Sequence, residues 1–272
     1  GQPWKMRANL RGANFQNANL SDAELNSCLC IDADFGGADL SNASLNNATL
    51  TNANLSDAEL EGTSIFYTTL EGIQAAGVDF SQANIHAARF SRANLAGCQF
   101  AGQETDLTGC DFRDADLSDA DLRGARLYRA KLARADAENA CFTGARAVAA
   151  DFQNANLRRA VLSGGDFTNA DFTDADLSNA IATAAGFAGA DLTRTSLRGA
   201  TLERCEFRRA TLEDTDLREA YLCGAQLAEL NLRSVQFAGA NLAEANLVRS
   251  DLEFVDWPGA RLKRADLSGA YL

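Results

Sequence analysis

A single histidine, His86, stands among the 272 residues, and the sequence contains only two prolines. One imidazole excludes a metal site built on several histidines. We also expect His86 to point outward without a partner, which excludes a histidine-based catalytic triad. No run of about eighteen apolar residues occurs, so the sequence predicts no membrane-spanning helix. The seven cysteines show no CxxC pair and no regular framework, which is typical of a reduced, cytoplasmic chain.

Positive charge is scarce as well. The chain has 25 Lys and Arg against 37 Asp and Glu, a formal net charge of −12, which disfavours direct binding to nucleic acid. The first residues, GQPWKMRANL, lack the apolar centre of a signal peptide. We therefore expect a cytoplasmic protein, with an excised domain of a longer chain as the open alternative.

The sequence does contain a five-residue repeat. A large apolar residue recurs at every fifth position from Leu10 to Phe100 and again from Leu107 to Leu272, in fifty-three units with few exceptions. Two residues earlier stands a small residue, which is alanine in 37 of these units. Because alternate residues of an extended segment point to one side, both positions face inward and the other three face water. Such a unit cannot bury its own leucine, so stacked copies are required.

The A(D/N)LXX pattern, as in ANLRGANFQNANLSDAEL over 8–25, resembles the pentapeptide-repeat family, and the resemblance covers 8–272. It implies an all-β fold, a right-handed quadrilateral parallel β-helix with four pentapeptides per coil and about thirteen coils. A leucine-rich repeat would show a period above about twenty and an Asn or Cys signature, and neither is present. We expect residues 1–7 to form a lead-in or cap and residues 8–272 one domain. A two-residue register slip near 102–106 is either a tolerated bulge or a functional loop.

Residues twenty apart stack on one face of such a coil, and one face departs from the family pattern. Where Asp or Asn is expected, an uncharged series stands immediately before the large position, which we call the apolar ladder: Cys141, Val161, Ile181, Thr201 and Tyr221. The β-propensity of these residues is one explanation for them. An exposed apolar contact patch is the other.

Another face is rich in carboxylates, and we call it the acidic face. Its candidate residues are Asp111, Asp114, Asp151, Asp171, Asp174, Asp191, Asp214 and Asp251. The resemblance bears on this face, since some members of the family are DNA mimics whose acidic rod occupies the DNA-binding saddle of type II topoisomerases. Arginines such as Arg158 and Arg208 interrupt the acidic rows, and Asp and Asn also suit the turns of the repeat.

Local departures add three expectations. Leu230 at a small position predicts that the coil widens locally, because no neighbouring large residue is replaced by a smaller one. Phe66 and Tyr67 at outward positions indicate either an N-terminal contact surface or an irregular coil. Cys141 and Cys223 point outward and are the expected reactive thiols.

The pattern predicts no catalytic residue, metal or cofactor, because carboxylates on convex walls and a filled interior leave no substrate pocket. We expect a non-enzymatic scaffold or protein–protein interaction module that presents flat faces to a protein partner, which the sequence does not identify. Self-association through the apolar ladder or the last coil is also open. The rival hypothesis is a DNA mimic that binds DNA gyrase or topoisomerase IV and confers quinolone tolerance.

Overall fold

The computed structural model describes residues 7–103 and 105–272. The chain forms a β-helix solenoid in which residues twenty apart pair through short parallel bridges. Each coil has four pairing positions, shown in the first coil by Asn9 with Leu29, Asn14 with Asp34, Asn19 with Asp39 and Glu24 with Ser44. At one place the pairing lengthens into two parallel strands, β1 (Ser64–Phe66) and β2 (Asn84–His86). The right-handed sense and the count of thirteen coils stay predictions, and the expected lead-in lies, except for Arg7, outside the described residues.

A tight turn follows each large position. The amide of Ala160 donates to the carbonyl of Leu157 at 3.1 Å, and Arg159 between them has a φ of +57°. A turn closed by an i to i+3 hydrogen bond, with positive φ only at its third residue, is type II. Glycine, Asn and Asp tolerate this conformation best. Arginine adopts it here because the next coil holds the backbone, with the Arg159 amide 3.1 Å from the carbonyl of Ser178.

The interior follows the predicted alternation of small and large side chains. Ala160 and Leu162 are both fully buried. Phenylalanines one coil apart stack on each other, as Phe152 does on Phe172 with ring centroids 4.7 Å apart and planes 4° from parallel. Since the rings fill the centre of successive coils, the core is continuous along the solenoid.

Threonine and cysteine replace alanine at some small positions and keep their polar atoms satisfied. The hydroxyl of Thr195 donates to the carbonyl of Phe172 at 2.7 Å, and the thiol of Cys98 donates to the carbonyl of Ala75 at 2.9 Å. In both cases the acceptor is the large position one coil earlier. A buried hydroxyl is therefore tolerated because the geometry supplies an acceptor.

The register slip lies between neighbouring coils. Asp79 pairs with Gln99, twenty residues on, whereas Arg89 pairs with Asp111, twenty-two residues on, and Asp106 again pairs with Arg126 at twenty. The amide of Thr105 donates to the carbonyl of Gly102 at 3.2 Å. The two additional residues are thus accommodated at one corner, and the twenty-residue pairing resumes beyond it.

The expected widening at Leu230 is present. In the described chain no bridge joins Thr211 to Asn231, although Glu206 pairs with Gln226 and Asp216 with Gln236 on either side. The Leu230 side chain is almost fully buried at a position built for alanine, so it holds the two coils apart. A depression of about 310 Å³ lies over this gap.

No helix within residues 7–103 and 105–272 is long and apolar enough to cross a membrane.

Replacing the buried Phe172 by alanine is expected to lower the free energy of unfolding by about 3–5 kcal/mol, because it leaves a cavity within the stacked rings. Urea denaturation followed by circular dichroism measures the change. The matched control is Phe254→Ala, since Phe254 is 85% exposed and its loss should be nearly neutral. Equal losses from the two substitutions would contradict the stacked core.

Candidate functional site

The structure brings the five residues of the apolar ladder into one column. Consecutive parallel bridges join Cys141, Val161, Ile181, Thr201 and Tyr221. Ile181 is 44% and Tyr221 52% exposed, while the other three are partly buried between their neighbours. Large apolar side chains are therefore presented to solvent on a flat strand surface. The use of this surface as an interface stays a prediction.

The turn residues beside the ladder extend its uncharged surface. Thr143, Ser163 and Thr183 follow the first three ladder residues by two positions, so they lie at the same edge on three consecutive coils. The Cys141 thiol lies 3.3 Å from the hydroxyl of Thr143. Charge returns with Glu203 on the next coil. These neighbours are not among the candidate residues named above, although the same twenty-residue spacing identifies them.

The acidic face is also assembled, but its carboxylates serve the turns. The side chains of Asp151, Asp171 and Asp191 each accept the backbone N–H two residues later, at 3.0, 2.9 and 3.0 Å. The same contact recurs on other faces, for example between Asp116 and Ser118 at 3.0 Å. Much of the Asp content is thus explained by turn geometry, whatever the protein binds.

Arginines pair with half of the eight predicted carboxylates. Arg134 lies 2.6 Å from Asp114, and Arg194 lies 2.6 Å from Asp174, each one coil apart. The other two pairs are Arg113 with Asp111 and Arg233 with Asp251. The arginines therefore neutralise part of the negative charge of the acidic face.

The pairing shifts the titration of these groups. The pKa values of Asp114, Asp174 and Asp251 lie below the usual range, first because the arginines donate hydrogen bonds to the ionised carboxylates. Asp151, Asp171 and Asp191 lack a Lys or Arg within ion-pair distance in the described part of the chain. They form a column of carboxylates on three consecutive coils.

His86 is not isolated, and the expectation that it lacks a partner is wrong. Its Nδ1 lies 3.5 Å from a carboxylate oxygen of Asp106, and its ring centroid lies 5.9 Å from that of Tyr67, with the two planes nearly perpendicular. The two-residue slip causes this, because it places Asp106 rather than residue 104 in the column that follows Asn84. A strict twenty-residue period does not find the contact.

The seven cysteines are all free, and burial separates them. Burial raises the pKa of Cys98, Cys110 and Cys205 to about 12, so these thiols stay protonated. Burial and then the nearby Glu203 and Glu244 raise the pKa of Cys223 as well. Cys223 is therefore less reactive than its outward position predicts.

Within the described ranges, no group of three or more His, Cys, Asp and Glu side chains could hold a metal ion. A depression beside Glu59 and Asp79, which no bridge joins in the described chain, is lined by turn residues such as Ser41 and Glu61.

A family model described as Pentapeptide repeats (8 copies) matches nearly the whole chain. The matched residues are 6–30, 28–65, 67–102, 110–146, 150–187, 185–222, 205–242, 215–253 and 245–272. No curated protein matches the chain in sequence.

Solved structures of similar proteins also match. Trypsin-treated QnrB1, a plasmid-mediated fluoroquinolone resistance protein, is 19% identical, with 73% of this chain and 91% of that chain covered and a TM-score of 0.48. Full-length QnrB1 is 18% identical, with 84% of this chain and 91% of that chain covered and a TM-score of 0.44. HetL, a pentapeptide-repeat protein involved in heterocyst differentiation regulation in Nostoc sp. strain PCC 7120, is 29% identical. The match covers 94% of this chain and 90% of HetL, with a TM-score of 0.26.

The lowered pKa values predict loss of stability in acid. Because these carboxyl groups have lower pKa values folded than unfolded, their pairing stabilises the fold fully above the unfolded pKa of about 4. This contribution is lost as the pH falls through the lowered folded values. Thermal melts should show little change between about pH 7 and 5 and a falling midpoint below about pH 4.

The double variant Asp114→Asn, Asp174→Asn should melt lower at neutral pH and lose less on acidification, because it lacks two of the carboxylates whose protonation removes this stabilisation. A variant whose midpoint follows the same pH curve as the parent would show that these pairs do not stabilise the fold.

Proposed function

The chain belongs to the pentapeptide-repeat family, and we propose that it is a non-enzymatic protein–protein interaction module whose apolar ladder contacts a protein partner. The observation that carries this proposal is the exposure of Ile181 and Tyr221, at 44% and 52%, in an uninterrupted uncharged column. Contiguous exposed apolar surface on a folded protein is typical of an interface.

The surroundings of the ladder have the composition of an interface rim. At one end the column continues to Asp121, which is paired with Arg123. At the other end it continues through Asn241 to Arg261. An apolar centre bordered by polar and charged groups is the usual anatomy of a protein interface. A partner that lies along the ladder would bury the apolar residues and leave the charged ends in water.

Replacing Ile181 and Tyr221 by aspartate is expected to abolish partner binding or self-association, because two charges would have to be desolvated in the contact. Light scattering measures the mass of the protein, and affinity capture from the native cell measures recovery of the partner. Thr211→Asp with Gln236→Asp is the matched control, since both residues occupy the equivalent outward position on other faces and both are exposed.

The control pair should leave mass and recovery unchanged. If the Ile181 and Tyr221 substitutions also leave both unchanged, the ladder is not an interface, and its composition reflects β-propensity alone.

A second candidate is a DNA mimic that binds DNA gyrase or topoisomerase IV. The column of Asp151, Asp171 and Asp191 favours it, because three carboxylates without arginine partners follow one another at the spacing of the coils, about 4.8 Å. The phosphates of one DNA strand recur at about every 3.4 Å of the helix axis. The arginine pairs on the same face act against it. Target, oligomeric state, cytoplasmic location and contacts through the last coil stay predictions.

Gyrase supercoiling assays distinguish the two candidates. A DNA mimic would inhibit supercoiling, or protect gyrase from a quinolone, at stoichiometric amounts. Asp151→Lys with Asp191→Lys should then remove the effect, because the substitutions reverse charge in the unpaired column. We expect no effect of the parent protein on supercoiling if the ladder module is the function. Inhibition that the lysine variant loses would favour the mimic.

A further inference from the structure

The face that follows the register slip carries aromatic side chains whose sequence spacing hides their proximity. Phe66 pairs with His86 in β1 and β2, and backbone hydrogen bonds of 3.2 and 2.9 Å carry the column on to Thr108 and Tyr128. These four residues are separated by 20, 22 and 20 positions. They nevertheless occupy one column on four consecutive coils.

The next column, at the turn, has a concave profile. Tyr67 is 61% exposed, and Tyr128 beside the far end is 42% exposed. The turn column runs from Tyr67 through Ala87 and Gly109 to Arg129, which follows Tyr128 in the chain, so its two middle positions are small. Three pairing steps separate the two ends, or about 14 Å. We call this surface the aromatic saddle: Phe66, Tyr67, His86, Ala87, Thr108, Gly109, Tyr128 and Arg129.

The backbone pairing is interrupted beside the saddle. Among the described residues, no bridge joins Asn84 to Asp106, and a depression of about 290 Å³ opens there, with Phe66 and His86 in its lining. The Asp106 carboxylate faces His86 at 3.5 Å. The surface is therefore a recess with an aromatic wall, and its nearest carboxylate already has a partner.

Positive charge gathers at the far end of the saddle. The guanidinium carbon of Arg129 lies 4.9 Å from the ring centroid of Tyr128, within the range of a cation–π contact. Arg146 lies on the next coil, in a column that runs from Asp106 through Arg126 and Arg146 to Asp166. Neither Arg129 nor Arg146 has a carboxylate within ion-pair distance in the described part of the chain. Both guanidinium groups are therefore available to a carboxylate of a partner, although the chain as a whole carries a net charge of −12.

We propose that the aromatic saddle binds an extended acidic segment of a partner protein. An apolar or aromatic side chain of the segment packs between Tyr67 and Tyr128, and its carboxylates bind Arg129 and Arg146. Tyrosine and arginine dominate binding energy at interfaces, and guanidinium groups suit carboxylates geometrically. This surface lies on a different face from the apolar ladder, so the proposal stands or falls separately.

A long nucleic acid fits this surface less well than a short peptide. Asp106 lies on the same face as the saddle. Asp111 and Asp151 lie on the adjoining face. These carboxylates would repel a polyanion that extends beyond the saddle. An extended segment rises about 3.3 Å per residue, so a few residues are long enough to reach from one end of the saddle to the other.

Fluorescence anisotropy tests the proposal with a labelled peptide of repeated Glu-Tyr-Glu-Leu and with a matched Gln-Tyr-Gln-Leu peptide. The acidic peptide should bind the parent protein, and the neutral one should bind at least about tenfold more weakly. Arg129→Glu with Arg146→Glu should weaken the acidic peptide by about tenfold or more, and Tyr67→Ala should weaken both peptides.

The matched control is Arg208→Glu with Arg209→Glu, two exposed arginines further along the same face without aromatic neighbours. This control should change binding by less than about twofold. Equal loss in the control, no binding of the acidic peptide, or tighter binding of a labelled oligo-dT than of the peptide would overturn the proposal. Equal thermal midpoints for all variants establish that the losses are local.

Discussion

The alternation of one small and one large inward side chain is the constraint on which the rest of the structure depends. Ala160 and Leu162 show it in its simplest form, since both are fully buried two residues apart. The small residue lets the backbone turn inward, and the large residue fills the centre, so each coil closes after four units and lies on the one before it. Pairing, turn conformation and surface columns all follow from this closure.

The places where the alternation fails are the places where the surface changes. Leu230 at a small position separates Thr211 from Asn231 and interrupts one series of backbone bridges. The two-residue slip interrupts another beside Asn84 and brings His86 to Asp106. The outward positions, in contrast, are constrained by the turns but not by the core. One face can therefore carry an apolar ladder while another carries paired carboxylates.

The repeat predicts the β-helix solenoid, the inward positions and the stacking of the apolar ladder, because each follows from a fixed period. It predicts less about the charged faces. The pairing of Asp114 with Arg134 depends on the long arginine side chain, which reaches the carboxylate one coil away. A count of formal charges on each face does not show that these two charges neutralise each other. The aromatic saddle is missed for another reason. The separation of 22 residues between His86 and Thr108 moves Tyr128 out of register with Phe66 in any strict twenty-residue alignment.

The central claim is that coils stay in register across the slip, so that a surface column is continuous although its sequence spacing changes. Spin-label distances test it most directly, with one pair at Val161 and Arg261 and a second at Phe66 and Thr168. Each pair spans five pairing steps, but the first is 100 and the second 102 residues apart. The account predicts the same distance for both, about 24 Å. A second distance longer or shorter by a full coil spacing, about 5 Å, would contradict it.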